Sequence, residues 1–274
     1  MKRPTIRKEE LKKGIYIIPS LFTCGNMTFG ILSIFASSEG RFLPAAWFLL
    51  GALACDILDG KIARMTKTTS GFGLQLDSLS DLVSFGVAPA FMMYMLILRD
   101  LGAIGIAIAV LFVLCSALRL ARFNVLAQSG EVHRHFVGLP TPASAGVIMS
   151  FVLSYKLLGP KEYALDLQSI PILMNLMPAF FRAMPIVIIA LSFLMVSNVP
   201  YLSFKKTKLT RVKSIQLFSL LIVLAILLIV FPQNTFFIIF SVYAISGLLF
   251  YFLRILSPKR RREERAKEIA GGES

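Results

Sequence analysis

Charged residues are scarce in this 274-residue chain, and so are the side chains that build most metal and redox centres of soluble proteins. Only 16% of the residues are charged, whereas soluble globular domains carry about 25%. The chain has three cysteines and two histidines. The cysteines lack the spacing typical of a metal site, and we interpret them as buried thiols without a redox role. The scarcity of charge argues against a soluble globular domain.

Long apolar runs dominate the composition instead. Hydrophobic residues make up 56% of the chain, and its mean hydropathy is +0.75. Several runs approach the roughly 17–25 residues that a helix needs to cross a hydrocarbon core. The sequence therefore predicts an all-α polytopic membrane protein with about eight transmembrane helices. The predicted spans are Leu21–Ala36, Phe42–Leu58, Leu82–Leu98, Gly102–Leu118, Gly146–Leu158, Ala183–Val196, Ile215–Phe231 and Phe236–Leu256.

Basic residues are distributed unevenly between the two predicted sides of the membrane. With eight spans, most of the 29 Lys and Arg fall in the N-terminal segment, alternate loops and the tail. Because Lys and Arg stay on the cytoplasmic side, both termini are predicted to be cytoplasmic, in the cell inner (plasma) membrane. The basic start of the chain predicts an amphipathic juxtamembrane helix. We expect membrane lipid as a partner and no nucleic acid, because no exposed aromatics accompany the cations.

Polar residues divide the chain into two portions and a tail. Ionisable residues inside the apolar runs concentrate before residue 158, whereas Ala183–Leu256 is nearly uninterrupted Leu, Ile, Val and Phe. We expect residues 1–158, with the juxtamembrane helix and about five spans, to carry the functional site. Residues 159–256 are expected to form scaffold spans, and residues 257–274 a charged cytoplasmic tail.

Four aspartates lie near the predicted cytoplasmic ends of the second and third spans. Asp56 and Asp59 are spaced i, i+3, and Asp77 and Asp81 are spaced i, i+4, so each pair occupies one face of its helix. Two antiparallel helices joined by a short loop can bring both faces together. Carboxylates at this depth are expensive, and two divalent cations would compensate them and suit phosphoryl transfer. The alternative is that each carboxylate pairs with a cation of the connecting segment, Lys61, Arg64 or Lys67.

The aspartates belong to a longer pattern that resembles a known family. The stretch Asp56-x2-Asp59-Gly60-x2-Ala63-Arg64-x8-Gly73-x3-Asp77-x3-Asp81 is similar at every fixed position to the signature of the CDP-alcohol phosphatidyltransferases. ALRLARFN and GLPTPASAG resemble blocks of the integral membrane phosphatidylserine synthases of bacteria. The opening IPSLFTCGNMTFG resembles their first span, although Ser20 stands where that family usually has Asn. Beyond Gly146 the chain is similar to the family only in hydropathy.

The resemblance implies a role for each residue of the signature. Asp56, Asp59 and Asp77 would hold two divalent metal ions, Mg²⁺ or Mn²⁺. Asp81 would contact the second metal and act as general base on the incoming hydroxyl. A planar guanidinium suits the phosphates of a CDP-lipid, and that lipid would be bound by Gly60, Ala63, Arg64, Ser70 and Gly73. Ser70 has the alternative role of a loop-capping serine.

The identification of the acceptor alcohol rests on weaker observations than that of the aspartate signature. The resemblance implies transfer of a phosphatidyl group from CDP-diacylglycerol to the hydroxyl of L-serine, with release of CMP, by a homodimer. Serine carries a carboxylate, so its pocket needs a cation, and Arg119 and Arg122 share one face of the fourth span. The alternative is that both arginines anchor the span at the interface.

Two other functions stay open at this point. Glycerol 3-phosphate or an inositol phosphate is the alternative acceptor within the same family. An ion-coupled membrane carrier is the alternative from another class, because it also combines apolar spans with intramembrane aspartates. Carriers tend to have internal repeats and midplane sites, and no repeat is visible here.

Overall fold

The computed structural model describes residues 8–66, 71–128, 136–155 and 171–201, positions 218, 222 and 226–228, and residues 230–256. The predicted span Ile215–Phe231 and the tail therefore lie largely or wholly outside the described residues. The helices are α1 (Lys8–Ser38), α2 (Phe42–Thr66), α3 (Gly71–Asp81), α4 (Ala88–Leu96), α5 (Ala103–Gln128), α6 (Thr141–Tyr155), α7 (Pro171–Val196) and α8 (Pro232–Leu256). A π-helical segment, Leu82–Val87, joins α3 to α4, and a 3₁₀ turn, Leu98–Leu101, precedes α5.

The helical architecture of a membrane protein is confirmed. Four helical stretches are long and apolar enough to cross a membrane, namely Pro19–Ser38, Phe42–Thr66, Gly71–Leu96 and Ala103–Leu126. Three shorter apolar helices follow at Thr141–Ser154, Phe181–Val196 and Asn234–Leu249. The count of eight spans and the cytoplasmic position of both termini stay predictions.

The start of the chain differs in one respect from the expected separate juxtamembrane helix. Lys8–Ser38 is one continuous helix with Pro19 inside it, and its span-length part begins at that proline. Proline lacks the amide that would bond to the preceding turn, yet the helix continues through Pro19. The polar segment before Pro19 and the first span therefore form a single helix.

Helix α1 packs closely on the segment that begins with α3. The Ser80 hydroxyl donates to the Thr23 carbonyl over 2.9 Å, and the Ser84 hydroxyl donates to the Asn26 carbonyl over 2.9 Å. A methyl group at Gly30 would collide with Ser84, with contacts of 2.4–3.0 Å. Small residues and interhelical hydrogen bonds drive helix association in membranes, where the hydrophobic effect between helices is weak. They hold the two aspartates of α3 in a defined register against α1.

The π-helical segment follows Asp81 directly. In it the Ala88 amide bonds to the Val83 carbonyl, five residues back. Pro89 comes next, and a proline ring clashes with the carbonyl four residues before it. The wider π turn lets the helix continue through Pro89, and π segments are frequent at functional sites.

A two-residue antiparallel ladder is the exception to the all-α prediction among the described residues. Strand β1 (Phe136–Val137) pairs with β2 (Pro200–Tyr201). Gly138 follows β1 with φ of +84°, and a side chain there would meet the Met195 carbonyl at 2.4 Å. Only glycine tolerates both demands. The ladder seats the start of α6 against the end of α7.

One hydrophobic cluster connects the early and late helices. It includes Leu49, Phe112, Met149, Ile188 and Phe237, which come from α2, α5, α6, α7 and α8. Large apolar side chains also cover the outside of the helices, among them Trp47, Val110, Leu114, Leu118 and Phe193. Helices that are apolar all round suit a lipid environment.

Candidate metal and substrate site

Three of the four aspartates of the predicted metal site come together in the structure. Asp56, Asp59 and Asp77 each offer a carboxylate oxygen, and these oxygens lie within 4.8 Å of one another. Asp56 and Asp59 lie one helical turn apart near the end of α2, and Asp77 faces them from α3. Asp59 is 4% exposed, while Asp56 and Asp77 are half-buried. The antiparallel pairing of α2 and α3 thus forms an acidic cluster partly shielded from solvent.

Asp81 stands beside this acidic cluster, one turn further along α3. It is 8% exposed, and its charge interacts with those of Asp56, Asp59 and Asp77. The Asn26 amide of α1 donates a hydrogen bond to Asp81 Oδ1 over 3.2 Å. Asp81 is therefore held by a neutral side chain from a third helix.

The local ion pairs considered as an alternative do not form with the two cations that the structure describes. None of the four aspartates makes a salt bridge with Lys61 or Arg64, whose side chains are exposed, and Lys67 lies outside the described residues. The guanidinium of Arg119 on α5 interacts electrostatically with Asp56 and Asp81. Among the described residues, one cation facing four carboxylates leaves a strong negative field.

The acidic cluster has the properties of a divalent metal site. Asp59 Oδ2 is buried and has no hydrogen-bond partner among the described residues. A buried, unpaired carboxylate oxygen is costly, and a hard divalent cation is its natural partner. The donor set is all oxygen, as Mg²⁺ and Mn²⁺ prefer.

The residues predicted to bind the CDP-lipid continue from the acidic cluster along the end of α2. Gly60 and Ala63 are half-buried, and Arg64 is exposed one turn beyond Gly60. A methyl group built at Gly60 would meet no atom within 4 Å, so there is open space beside the backbone. Gly73 is half-buried near the start of α3, whereas Ser70 lies outside the described residues. The space at Gly60 adjoins the carboxylates, as a diphosphate-binding site requires.

The two arginines predicted to contact the acceptor have different partners. Arg119 is half-buried and donates to the Thr141 hydroxyl over 2.9 Å. Arg122 is exposed and donates to the Asn198 side chain over 2.8 Å, beyond the end of α7. Arg119 thus borders the acidic cluster, while Arg122 joins α5 to the segment before β2.

Several polar residues around the site had no predicted role. Asn26 holds Asp81, Thr141 holds Arg119, and the Asn124 amide of α5 donates to the Ser78 hydroxyl of α3 over 2.9 Å. Tyr243 of α8 interacts electrostatically with Arg119. The sequence signal that could have identified these residues is a polar residue inside an apolar run. It is clearest for Asn26 within the first span.

Comparisons with known proteins cover most of the chain. A family model described as CDP-alcohol phosphatidyltransferase matches residues 16–181. A CDP-diacylglycerol–serine O-phosphatidyltransferase of Helicobacter pylori is 34% identical over 250 residues, which cover 90% of this chain and 97% of that protein. An archaetidylserine synthase of Methanothermobacter thermautotrophicus is 44% identical over 139 residues, 50% of this chain and 58% of that protein. A Bacillus subtilis CDP-diacylglycerol–serine O-phosphatidyltransferase is 35% identical over 144 residues, 52% of this chain and 80% of that protein.

Proposed function

The chain belongs to the CDP-alcohol phosphatidyltransferase family, and on that premise we propose that it is a phosphatidylserine synthase. It would transfer the phosphatidyl group of CDP-diacylglycerol to the hydroxyl of L-serine and release CMP. The observation that carries the proposal is the approach of three carboxylates from two helices to within 4.8 Å. Serine as the acceptor is supported by the near full-length similarity to the Helicobacter pylori enzyme.

The proposed cofactors are two divalent metal ions, Mg²⁺ or Mn²⁺. Asp56, Asp59 and Asp77 would hold them, with Asp81 in contact with the second. The unpaired Oδ2 of Asp59 supports this assignment. When bound, the ions would neutralise the charge that develops on the phosphate oxygens of the CDP-lipid. Apart from Arg119, the described residues offer no buried cation at the acidic cluster for that task.

The proposed CDP-lipid site uses the end of α2 and the start of α3. Gly60, Ala63 and Gly73 would let the CDP group approach the backbone, and the open space beside Gly60 supports this. Arg64 would bind the phosphates with its fixed fork of donors. Ser70 completes the predicted set.

Asp81 is the proposed general base. Its carboxylate would take the proton of the serine hydroxyl, whose own pKa is too high for it to ionise at neutral pH. The serine oxygen then bonds to the phosphorus on the diacylglycerol side. The bond from that phosphorus to the bridging oxygen breaks, and CMP leaves with the bridging oxygen.

Arg119 is the better supported of the two proposed acceptor contacts. It borders the acidic cluster, and its bond to Thr141 orients the guanidinium. A guanidinium binds a carboxylate through two parallel hydrogen bonds, which suits the carboxylate of serine. Arg122, the second proposed contact, already donates to Asn198.

The proposed location is the cytoplasmic face of the cell inner membrane. The predicted distribution of Lys and Arg supports this orientation. Acyl chains can stay in lipid there while the CDP group reaches water. A homodimer is the proposed assembly, on the basis of the family resemblance.

The test is the acceptor profile of the purified enzyme in detergent. CDP-diacylglycerol, Mn²⁺ or Mg²⁺ and labelled serine should give CMP and labelled phospholipid, and a chelator should stop both. CMP release with glycerol 3-phosphate or an inositol phosphate but not with serine would contradict the serine assignment. Asp81→Asn should bind CDP-lipid without turnover, and near-normal turnover would contradict its role as base. If no CMP is released either with or without a divalent metal, a carrier would be favoured instead.

A further inference from the structure

Asn26 is a buried amide in the middle of the first candidate span. It is 0% exposed, and its partner Asp81 lies 55 residues away on α3. A polar side chain inside a membrane helix is expensive unless it is paired, and such residues mark functional sites. Nothing in the packing of α1 alone requires an amide at this position, because Ser80 and Ser84 already join the helices through α1 carbonyls.

The bond from Asn26 differs in kind from the neighbouring contacts between α1 and α3. The serines donate to backbone carbonyls of α1, which any residue would supply. Asn26 instead donates through its side chain to one oxygen of the Asp81 carboxylate, over 3.2 Å. The two serine bonds join α1 to the following helix without touching Asp81, whereas the amide bond ends on the carboxylate itself.

We propose that Asn26 is a positioning residue for Asp81. Its amide occupies Oδ1 of the carboxylate, which sets the rotation of the group and leaves the other oxygen to receive the proton of the acceptor hydroxyl. A neutral donor suits this task, because a cation at the same place would stabilise the carboxylate and lower its affinity for the proton. The inference rests on the proposed role of Asp81 as base.

The side-chain amide oxygen of Asn26, Oδ1, is a second feature of this residue. Oδ1 of Asn26 is buried and has no hydrogen-bond partner among the described residues. An unpaired amide oxygen carries a desolvation penalty of about 1–3 kcal/mol. A carboxylate only accepts hydrogen bonds, so the donor Nδ2 of Asn26 must face Asp81 and the acceptor Oδ1 must point away. The amide keeps this orientation although its Oδ1 stays unpaired.

The experiment compares Asn26→Leu, which keeps the approximate shape and removes the donor, with Ser84→Ala. Ser84→Ala removes a buried hydrogen bond between the same two helices, one that does not touch Asp81. Bound CDP-lipid per protein gives the number of folded sites, and turnover is expressed per site. Asn26→Leu should lower turnover per site about 10- to 100-fold, a part of what a positioned base contributes, with the Michaelis constants for both substrates changed less than about threefold. Ser84→Ala should stay within about threefold of the parent in turnover per site.

A third variant, Asn26→Gln, keeps the amide and should recover part of the loss. Turnover per site in Asn26→Leu within about threefold of the parent would overturn the inference. An equal loss in Ser84→Ala would overturn it as well, because helix packing would then explain both. The acceptor used is whichever one the parent enzyme accepts. A failure of serine as acceptor is therefore separate from a failure of Asn26 as positioning residue.

Discussion

The early helices, α1 to α5, and the late helices, α6 to α8, differ in how some of their buried hydroxyls and amides bond. In the early helices, Ser80, Ser84 and Asn26 bond across to another helix, although Ser37 and Ser116 donate to carbonyls of their own helix. In the late helices, Ser150 and Ser192 donate to carbonyls of their own helix, four residues back. A hydroxyl that bonds within its helix is satisfied without specifying a neighbour. Ser80, Ser84 and Asn26 therefore specify neighbours for the early helices, which Ser150 and Ser192 do not do for the late ones.

The late helices nevertheless reach the site at one point. Thr141 at the start of α6 accepts a hydrogen bond from Arg119, and Tyr243 of α8 interacts with the same guanidinium. Tyr243 packs against the Tyr201 ring with centroids 5.6 Å apart, and the Tyr201 hydroxyl donates to the Ala244 carbonyl over 3.1 Å. Burial, followed by the neighbouring Tyr243, raises the pKa of the Tyr201 hydroxyl. The late helices thus support Arg119 and leave the aspartates to the early ones.

The largest expected effect follows from removing a charge of the acidic cluster. Asp59→Asn should lower the rate of CMP release at least about 100- to 1,000-fold, the range for loss of one preorganised electrostatic group. It should also weaken the dependence on Mn²⁺, because a proposed ligand is lost. A Mn²⁺ titration of CMP release measures both.

Asp100→Asn is the matched control for that substitution. Asp100 is exposed in the 3₁₀ turn before α5 and lies outside the acidic cluster. Its loss should leave activity unchanged. Similar losses in both variants would show that net charge, and not the cluster, is responsible.

A smaller effect is expected from the arginine beside the aspartates. Arg119→Lys keeps the charge and loses the fork of donors, so the Michaelis constant for serine should rise about tenfold, the equivalent of about 1.4 kcal/mol. Arg122→Lys should change it less than about threefold, since Arg122 is exposed and bound to Asn198. Serine saturation curves at fixed CDP-diacylglycerol distinguish the two. A larger effect at Arg122 would contradict the assignment.

The smallest effect tests whether a late helix contributes to the site. Thr141→Val removes the hydroxyl that accepts a hydrogen bond from the charged Arg119 guanidinium. Such a bond contributes about 1.5–3 kcal/mol in all, and only the part that orients Arg119 bears on serine binding. The Michaelis constant for serine should therefore rise about two- to tenfold. Ser150→Ala is the control, because this buried hydroxyl of the same helix bonds only within α6. If both variants behave alike, the late helices act as scaffold alone.

The local pattern was sufficient to predict that Asp56, Asp59 and Asp77 come together. The i, i+3 and i, i+4 spacings put each aspartate pair on one helix face, and the observed cluster of Asp56, Asp59 and Asp77 agrees with that periodicity. The beginning of the third span was harder to predict. The apolar run starts at Leu82, whereas the helix begins at Gly71 because its first turns are polar yet helical. The β1–β2 ladder had no periodic signal at all, since two-residue strands are too short to alternate.

The partners of the site residues were not predictable in the same way. Arg119 and Arg122 share a helix face by spacing, yet their long side chains reach Thr141 and Asn198, 22 and 76 residues away. Asn26 and Asp81 are 55 residues apart in the chain. Such contacts depend on which helices pack together and in what register, and small residues such as Gly30 set that register.

The sequence by itself determined the apolar, helical character of this protein and the placing of its four aspartates as two pairs, each on one helix face. Hydropathy and helical periodicity are local properties, so they can be obtained from neighbouring residues. Only the tertiary structure decided that Asp81 is held by an amide of the first span, and that Arg119, and not Arg122, borders the acidic cluster. Those two outcomes depend on distances between helices far apart in the chain, and no local pattern encodes them.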